Sequence, residues 1–316
     1  MNKKNPLVSV IIPTYKRPGM LGKALDSVIN QNYSNIEIIV IDDNNENSNY
    51  RKETNFFMDK YLSKNNIKYL KHKKNKGACA ARNTGIKNAN GKYITFLDDD
   101  DVYYKNKVQE QVNLLELSKE KIVVCAHEKV YYNENFEIID SKVYRPFLND
   151  IKKEKLYYKN TIGPTSVIML KKSIFKRVGF FDLKLKARQD LDLYIRLASI
   201  YNFTFIKKPL LKLNVHKKNR ISNNVKGKID AYKYFYKKHF EHIDSNKNIK
   251  SNYLKLLGDL YFLNGEFKKS KLFYYNSWKV NKRYYKSFIL FVSICISPKI
   301  RKLINKINNL FQKNYK

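Results

Sequence analysis

The chain has 316 residues and a formal net charge of +35, from 63 basic and 28 acidic side chains. This length suits one large domain with its own core plus a smaller appendage, and 43% hydrophobic with 14% aromatic residues excludes a chain disordered throughout. The charge excess attracts polyanions, but lysine and asparagine abound along the whole sequence, which argues against a specific nucleic-acid partner.

The N-terminus has a basic start and an apolar run bracketed by Pro6 and Pro13, with no small-residue cleavage site after it; it reads as a first strand over Leu7–Ile12, not a targeting segment. Leu21, Leu25, Val28 and Ile29 recur at helical spacing. A second strand, Ile36–Ile41, ends at Asp42. Phe56, Phe57, Tyr61 and Leu62 mark a helix, Ile67–Leu70 a third strand, Gly77–Ala89 another helix and Tyr93–Leu97 a fourth strand. Such β-α alternation predicts a mostly parallel sheet. A helix around Lys105–Leu117 follows, then strand-like runs at Ile122–Val130, Ser166–Leu170 and Phe203–Val215 and an amphipathic helix at Leu191–Ile200. Together these read as the second half of one domain.

The polar stretch Lys217–Lys228 is a candidate active-site loop or domain boundary, and the expected division is 1–222 and 223–316. Beyond it the pattern is helical. Leu254, Leu257, Leu260, Tyr261 and Leu263 lead to a turn at Asn264-Gly265, and Phe267, Leu272 and Trp278 form a second helix, resembling one tetratricopeptide-like hairpin. The apolar run Phe288–Ile296 is far shorter than the ~20 residues a bilayer span needs. Ile300, Leu303, Ile304, Ile307 and Leu310 then recur at helical spacing among lysines and arginines. That helix either packs on the hairpin or on another subunit, or lays its apolar face on an anionic membrane surface. Cys79, Cys125 and Cys295 are odd in number and far apart, against a disulfide framework or a zinc site and in keeping with a reducing cytoplasm.

In a parallel sheet, ligands bind beyond the carboxyl ends of the strands. Pro13-Thr14-Tyr15 follows the first strand there, Asp42-Asp43-Asn44-Asn45 the second, and Asp98–Asp101 the fourth. Carboxylates in a row repel one another, and a hard divalent cation among them relieves the repulsion; the other reading is a solvated acidic loop in which Asp101 favours the start of the next helix. Asp42 to Asn45 suit either a nucleotide's base and ribose or a polar turn. Asp192 lies four residues before Arg196 and reads as half of a surface ion pair. Asp190 either points into the cleft or favours its helix start through the dipole. His216, ending a strand-like run, is a metal or phosphate ligand or a structural histidine.

Taken in order, SVIIPTYKR, VIDDNN, NKGACAARNTGI, GKYITFLDDDD and RQDLDLYIRL resemble the family 2 glycosyltransferases of the GT-A fold, across about residues 7 to 216. The resemblance implies an α/β fold of mostly parallel strands flanked by helices, a nucleotide-diphosphate-sugar donor, a divalent metal (Mn²⁺ or Mg²⁺) and inversion at the anomeric carbon. It implies that Pro13, Thr14 and Tyr15 line the nucleotide pocket, that Asp42 hydrogen-bonds the base, and that Lys68 and Arg82 approach base or diphosphate. Asp98, with Asp99 beside it, would contact ribose or sugar, Asp100 and His216 would reach the metal, and Asp190 would be the catalytic base. The sequence departs from the family in having Gln189-Asp190 for Glu-Asp and Asn44-Asn45 for Gly-Ser. UDP-sugars are the expected donors, a saccharide or lipid-linked hydroxyl the expected acceptor, surface polysaccharide the expected product, and the cytoplasm or the inner face of the plasma membrane the expected place. The alternatives are a nucleotidyltransferase, whose glycine-rich opening loop is missing, a glycosidase with paired carboxylates, and a non-catalytic basic binding protein on the same fold.

Overall fold

The computed structural model describes residues 5–63, 66–133, 137–145, 153–215 and 224–304. They form two compact units. One comprises the described residues up to Leu156, Asn160–Leu183 and Gln189 to the end of the last strand; the other comprises Tyr157–Lys159, Lys184–Arg188 and the described residues from Asn224 onward. The boundary expected at residues 222 and 223 lies outside the described residues.

The first unit is built on a mixed sheet of β1 (Val8–Thr14), β2 (Ile36–Asp42), β3 (Ile67–Lys71), β4 (Tyr93–Phe96), β5 (Val102–Tyr103), β6 (Ile122–Tyr132), β7 (Ile138–Tyr144), β8 (Ile168–Lys171) and β9 (Thr204–Val215). The order is β3-β2-β1-β4-β8-β6-β9-β5, with β7 paired to β6. Parallel pairing, as the β-α alternation predicts, holds through β3-β2-β1-β4. Past β4 the sheet turns mixed, because β8 runs antiparallel to both β4 and β6. Every residue of β2 is buried, as expected of a strand covered on both faces.

Helices α1 (Pro18–Ile29), α2 (Asn49–Leu62), α3 (Ala78–Asn88), α4 (Lys107–Leu117), α5 (Lys153–Leu156), α6 (Ile174–Val178) and α7 (Gln189–Ala198) complete this unit. Small residues let α3 lie close on the sheet: a Cβ at Gly85 would stand 2.4 Å from Ile11 Cγ2 and 2.9 Å from Ile41 Cδ1. That close approach sets Arg82, one turn earlier, at the carboxyl edge of the strands. Helix α7 buries Leu193, Tyr194 and Leu197 completely. Asp192 is fully buried too, not at the surface as its spacing suggests; it accepts from Arg196 Nη2 at 2.9 Å and Nε at 3.1 Å. The same guanidinium donates to the carbonyls of Val178, Gly179 and Phe180. The pair therefore ties α7 to the end of α6.

The second unit holds α8 (Val225–Lys238), α9 (Phe240–Asp244), α10 (Lys247–Leu263), α11 (Phe267–Val280) and α12 (Tyr285–Ile296). Helices α10 and α11 form the expected hairpin, and Leu290 and Ile294 of α12 join Phe262 and Tyr274 in its core. Arg301 is buried and donates to Asp259 Oδ1 at 2.8 Å and the Tyr274 hydroxyl at 3.0 Å, while Ile304 packs on the same core. The first residues of the basic tail thus take the hairpin as their partner; Ile307 and Leu310 lie outside the described residues. Arg188 stacks its guanidinium on Tyr232, Phe235 and Tyr253 at 4.6, 4.4 and 5.4 Å from the ring centroids. Among the described residues, no helix is long and apolar enough to cross a membrane.

Candidate active site

Three strand ends meet at the carboxyl edge of the parallel half of the sheet. After β1 the chain passes through Lys16 at φ +59°, a conformation costly for a side chain-bearing residue and concentrated at functional loops; the Lys16 amide donates to Asn44 Oδ1 at 2.9 Å. Thr14 Oγ1 donates to Asp99 Oδ2 at 2.8 Å, linking the ends of β1 and β4. After β2, Asp43 accepts from the amides of Lys76 (2.8 Å) and Gly77 (2.7 Å) and so fixes the start of α3, where the helix dipole favours negative charge.

Two arginines pair with the acidic run. Arg17 Nη1 lies 2.6 Å from Asp100 Oδ2 and 3.1 Å from Asp99 Oδ1. Burial lowers the Arg17 pKa, but Asp99 and Asp100 outweigh it and the net shift is upward. Arg82 Nη2 lies 2.6 Å from Asp98 Oδ1, and its pKa rises for the same reason: burial opposes, Asp98 prevails, and Asp190 adds to the effect. Asp99 is buried, which together with its acidic neighbours pushes its pKa up to about 7 against the pull of Arg17. Asp101 does not favour a helix start. It is buried and accepts from Ser166 Oγ and the Asn214 amide, both at 3.2 Å, which pins the far end of β9 beside the acidic run.

Across this edge stands the start of α7. Arg82 Nη1 donates to Gln189 Oε1 at 3.2 Å, so one guanidinium spans the acidic strand end and the helix that carries Asp190. Asp190 is half-buried and accepts from Asn160 Nδ2 at 2.6 Å. With an acid or base on one side and carboxylates among arginines on the other, the arrangement can bind a phosphorylated ligand and remove a proton from a second one.

Not every residue picked from the sequence comes to this edge. Lys68 sits near the start of β3 at the opposite edge, its Nζ 2.9 Å from Glu37 Oε2, because its place early in the strand puts it a full strand length from the site. Asp42 is wholly buried. It accepts from the Asn44 amide and Nδ2, both at 2.8 Å, and from the Tyr69 hydroxyl at 2.6 Å, and it pairs with Arg51 Nε at 2.8 Å. With those sites filled, Asp42 orders the turn after β2 where the sequence reading gave it a base to bind. Pro13 and Tyr15 are half-buried at the end of β1, and Asp98 and Asp100 keep 32% and 24% of their side chains exposed. His216 lies outside the described residues. Arg17, Asn160, Ser166 and Asn214 were missed; only Arg17 left a signal, as a fixed cation just past the first strand with an acidic run to balance.

Among the described residues, no three His, Cys, Asp or Glu side chains are grouped to hold a metal. The chemistry of this strand end suits a hard cation at Asp100. Mg²⁺ and similar hard cations are commonly held by one or two carboxylates with substrate phosphates completing the shell, and the Asp100 side chain stays partly exposed while its Oδ2 pairs with Arg17.

Residues 9–179 match the model of glycosyl transferase family 2. An uncharacterized glycosyltransferase of Rickettsia prowazekii is 33% identical over 228 residues, which are 68% of this chain and 66% of that one; the match thus spans slightly less than two thirds of that relative. A glycosyl transferase of Escherichia coli K12 assigned by name to colanic acid biosynthesis is 31% identical over 252 residues, 77% of this chain and 84% of that one. Among solved structures, Staphylococcus aureus TarS 1-349 in complex with UDP-GlcNAc aligns with a TM-score of 0.57 at 14% identity, over 95% of this chain and 92% of that one. That likeness is one of fold, an α/β GT-A-type architecture with additional C-terminal helices.

Proposed function

The chain belongs to glycosyl transferase family 2, and from that premise we propose that it transfers a sugar, with inversion, from a nucleoside-diphosphate donor to an acceptor hydroxyl. The observation that carries this reading is the span of Arg82, from Asp98 at the acidic strand end to Gln189 beside Asp190. That span supports a reading in which the diphosphate lies on one side of a sugar ring and the base on the other. The UDP-GlcNAc complex of the S. aureus neighbour supports a UDP-sugar donor, and the name of the E. coli relative supports a saccharide or lipid-linked acceptor in surface-polysaccharide synthesis.

In this mechanism Pro13, Thr14, Tyr15, Asp98 and Asp99 form the wall for the nucleotide and sugar, and Arg17 and Arg82 supply fixed positive charge near the diphosphate. The acceptor oxygen forms a bond to the anomeric carbon as the bond from that carbon to the β-phosphate oxygen breaks. The bonding pair leaves with the nucleoside diphosphate. Asp190 takes the acceptor proton, which makes a poor nucleophile competent. A Mn²⁺ or Mg²⁺ ion held by Asp100 and His216 would neutralise charge growing on the leaving group.

A place at the cytoplasmic face of a membrane suits a lipid-linked acceptor, and the exposed Phe288, Ile289 and Ile296 of α12 support it. The test of the central reading is a panel of nucleotide sugars, each with manganese or magnesium. UDP-sugars should raise the melting temperature by mass action and be slowly hydrolysed. Asp190→Asn should keep that stabilisation while hydrolysis falls ~10²–10⁴-fold. No stabilisation by any nucleotide sugar would remove the donor assignment, and undiminished turnover by the variant would remove the base.

A further inference from the structure

Asp190 and Tyr194 lie four residues apart on α7 and so share a helix face. Both meet one tight turn, residues 160 to 164. Asn160 is the centre of that turn. Its Oδ1 accepts from the amides of Ile162 (3.0 Å) and Gly163 (2.9 Å), and its Nδ2 donates to the Gly163 carbonyl at 2.9 Å and to Asp190 Oδ2 at 2.6 Å. The fully buried Tyr194 donates from its hydroxyl to the carbonyls of Pro164 (3.0 Å) and Gly163 (3.3 Å). One helix face therefore grips the turn at both ends.

The turn has little freedom to deform. Gly163 stands at φ +120°, where a side chain is strained whatever the space, and a Cβ there would lie 3.1 Å from His127 Cε1. Two buried polar atoms at this spot, Thr161 Oγ1 and His127 Nδ1, have no hydrogen-bond partner among the described residues. Buried polar atoms are rarely left so, and such exceptions call for an explanation in function or in bound water.

From this geometry we infer that Asn160 is a positioning residue for the base: its amide holds one oxygen of Asp190 and turns the carboxylate toward the acceptor hydroxyl. The inference rests on the reading of Asp190 as general base and adds to it the group that aims the carboxylate. Physical consequences follow for the proton it takes. A hydrogen bond donated to a carboxylate favours its ionised form, so the amide keeps the base ready at lower pH. Removing the donor should move the acid limb of activity upward in pH.

Asn160→Asp keeps the two amide contacts at the centre of the turn while it removes the donation to Asp190 and to the Gly163 carbonyl. Aspartate has the same shape and still accepts from the amides of Ile162 and Gly163, but it has no N–H to give and faces Asp190 as a second carboxylate. Asn160→Ala removes both functions. The readout is hydrolysis of UDP-N-acetylglucosamine, with water as acceptor, followed from pH 5 to 9, alongside donor affinity from thermal shift. For Asn160→Asp the donor affinity should stay within about twofold, kcat at neutral pH should fall ~10-fold or more, and the acid limb should shift up by about one pH unit or more, as expected when two carboxylates share a site. Asn160→Ala should shift the limb in the same direction by less. If the limb of Asn160→Asp superimposes on the wild-type limb, the inference fails. Asp190→Asn runs in parallel: if it abolishes hydrolysis while Asn160→Asp leaves the profile untouched, only the role of Asn160 is lost. If Asp190→Asn hydrolyses normally, the base assignment itself falls.

Discussion

Among the described residues of the first unit Lys107 is the most deeply buried cation, at 0% exposure. Its ammonium donates to Gln111 Oε1 at 2.7 Å and Thr95 Oγ1 at 3.2 Å and sits 4.0 Å from the centre of the Tyr103 ring. These contacts replace part of its hydration, yet burial still pulls its pKa down from 10.5 to about 8. The sign of the effect on stability is set by which state holds the proton. Between pH of about 8 and 10.5 the unfolded chain keeps a proton that the folded chain has released, so this group makes stability rise with pH across that window. Lys107→Met abolishes that contribution. The difference in unfolding free energy, wild type minus variant, should therefore grow more favourable to the wild type as pH rises from 7.5 to 10, measured by urea denaturation at each pH. A flat difference would mean that Lys107 titrates normally.

At the scale of elements, α7 carries Asp190 and is tied in place by charge. Asp192 and Arg196 form a two-bond pair within the helix, and Arg196 goes on to three carbonyls at the end of α6. Removing one member of a buried pair leaves the other without its counter-charge, which costs about 3–5 kcal/mol; Arg196 keeps 22% of its side chain exposed, so the low end applies. Asp192→Ala should lose about 3 kcal/mol of unfolding free energy in urea. A loss below about 1 kcal/mol, the value of an exposed pair, would show that solvent screens this one. The result bears on catalysis, because the same helix presents Asp190 to Asn160.

For the whole molecule the charge of +35 and the surface of α12 point the same way. Tyr285, Phe288, Ile289 and Ile296 are exposed, with Lys282, Arg283 and Lys286 exposed close by in the chain. An apolar face with cations around it settles at the headgroup boundary of an anionic bilayer, where each cation adds ~1 kcal/mol. The full chain should sediment with anionic vesicles at low salt, stay in solution with neutral ones, and be released as salt screens the charges. Ile289→Glu with Ile296→Glu should weaken the binding without disturbing Leu290 and Ile294, which face the hairpin core. If the unaltered chain stays in the supernatant with anionic vesicles, the face has another partner.

How much of this was legible in the sequence follows from what each pattern records. Strands β1 to β4 and helix α1 were readable because apolar periodicity reports burial directly, and the strand-end motifs share one edge because parallel strands must place their carboxyl ends together; α2 lies where it was expected, but it buries Arg51, Thr54 and Met58, while Phe56 and Leu62, which marked it, are exposed. Short or exposed elements left no such trace: β5 has two residues and β7 is half-exposed or exposed throughout. Partnership across the fold was not legible either. Asn160 and Asp190 are thirty residues apart, Arg17 and Asp100 eighty-three, and no local pattern encodes such a meeting. Nor does residue type reveal which edge or depth a side chain takes. Lys68 falls near the start of β3 through its register, Asp42 is buried with Arg51 folded onto it, and Asp192 is buried although its pairing with Arg196, four residues on, could be read from spacing. The sequence by itself determined the order of the elements and the chemistry available at the strand ends. The tertiary structure alone decided which carboxylates stay open to a ligand and which are spent on holding the fold, since that depends on cations brought in from elsewhere in the chain.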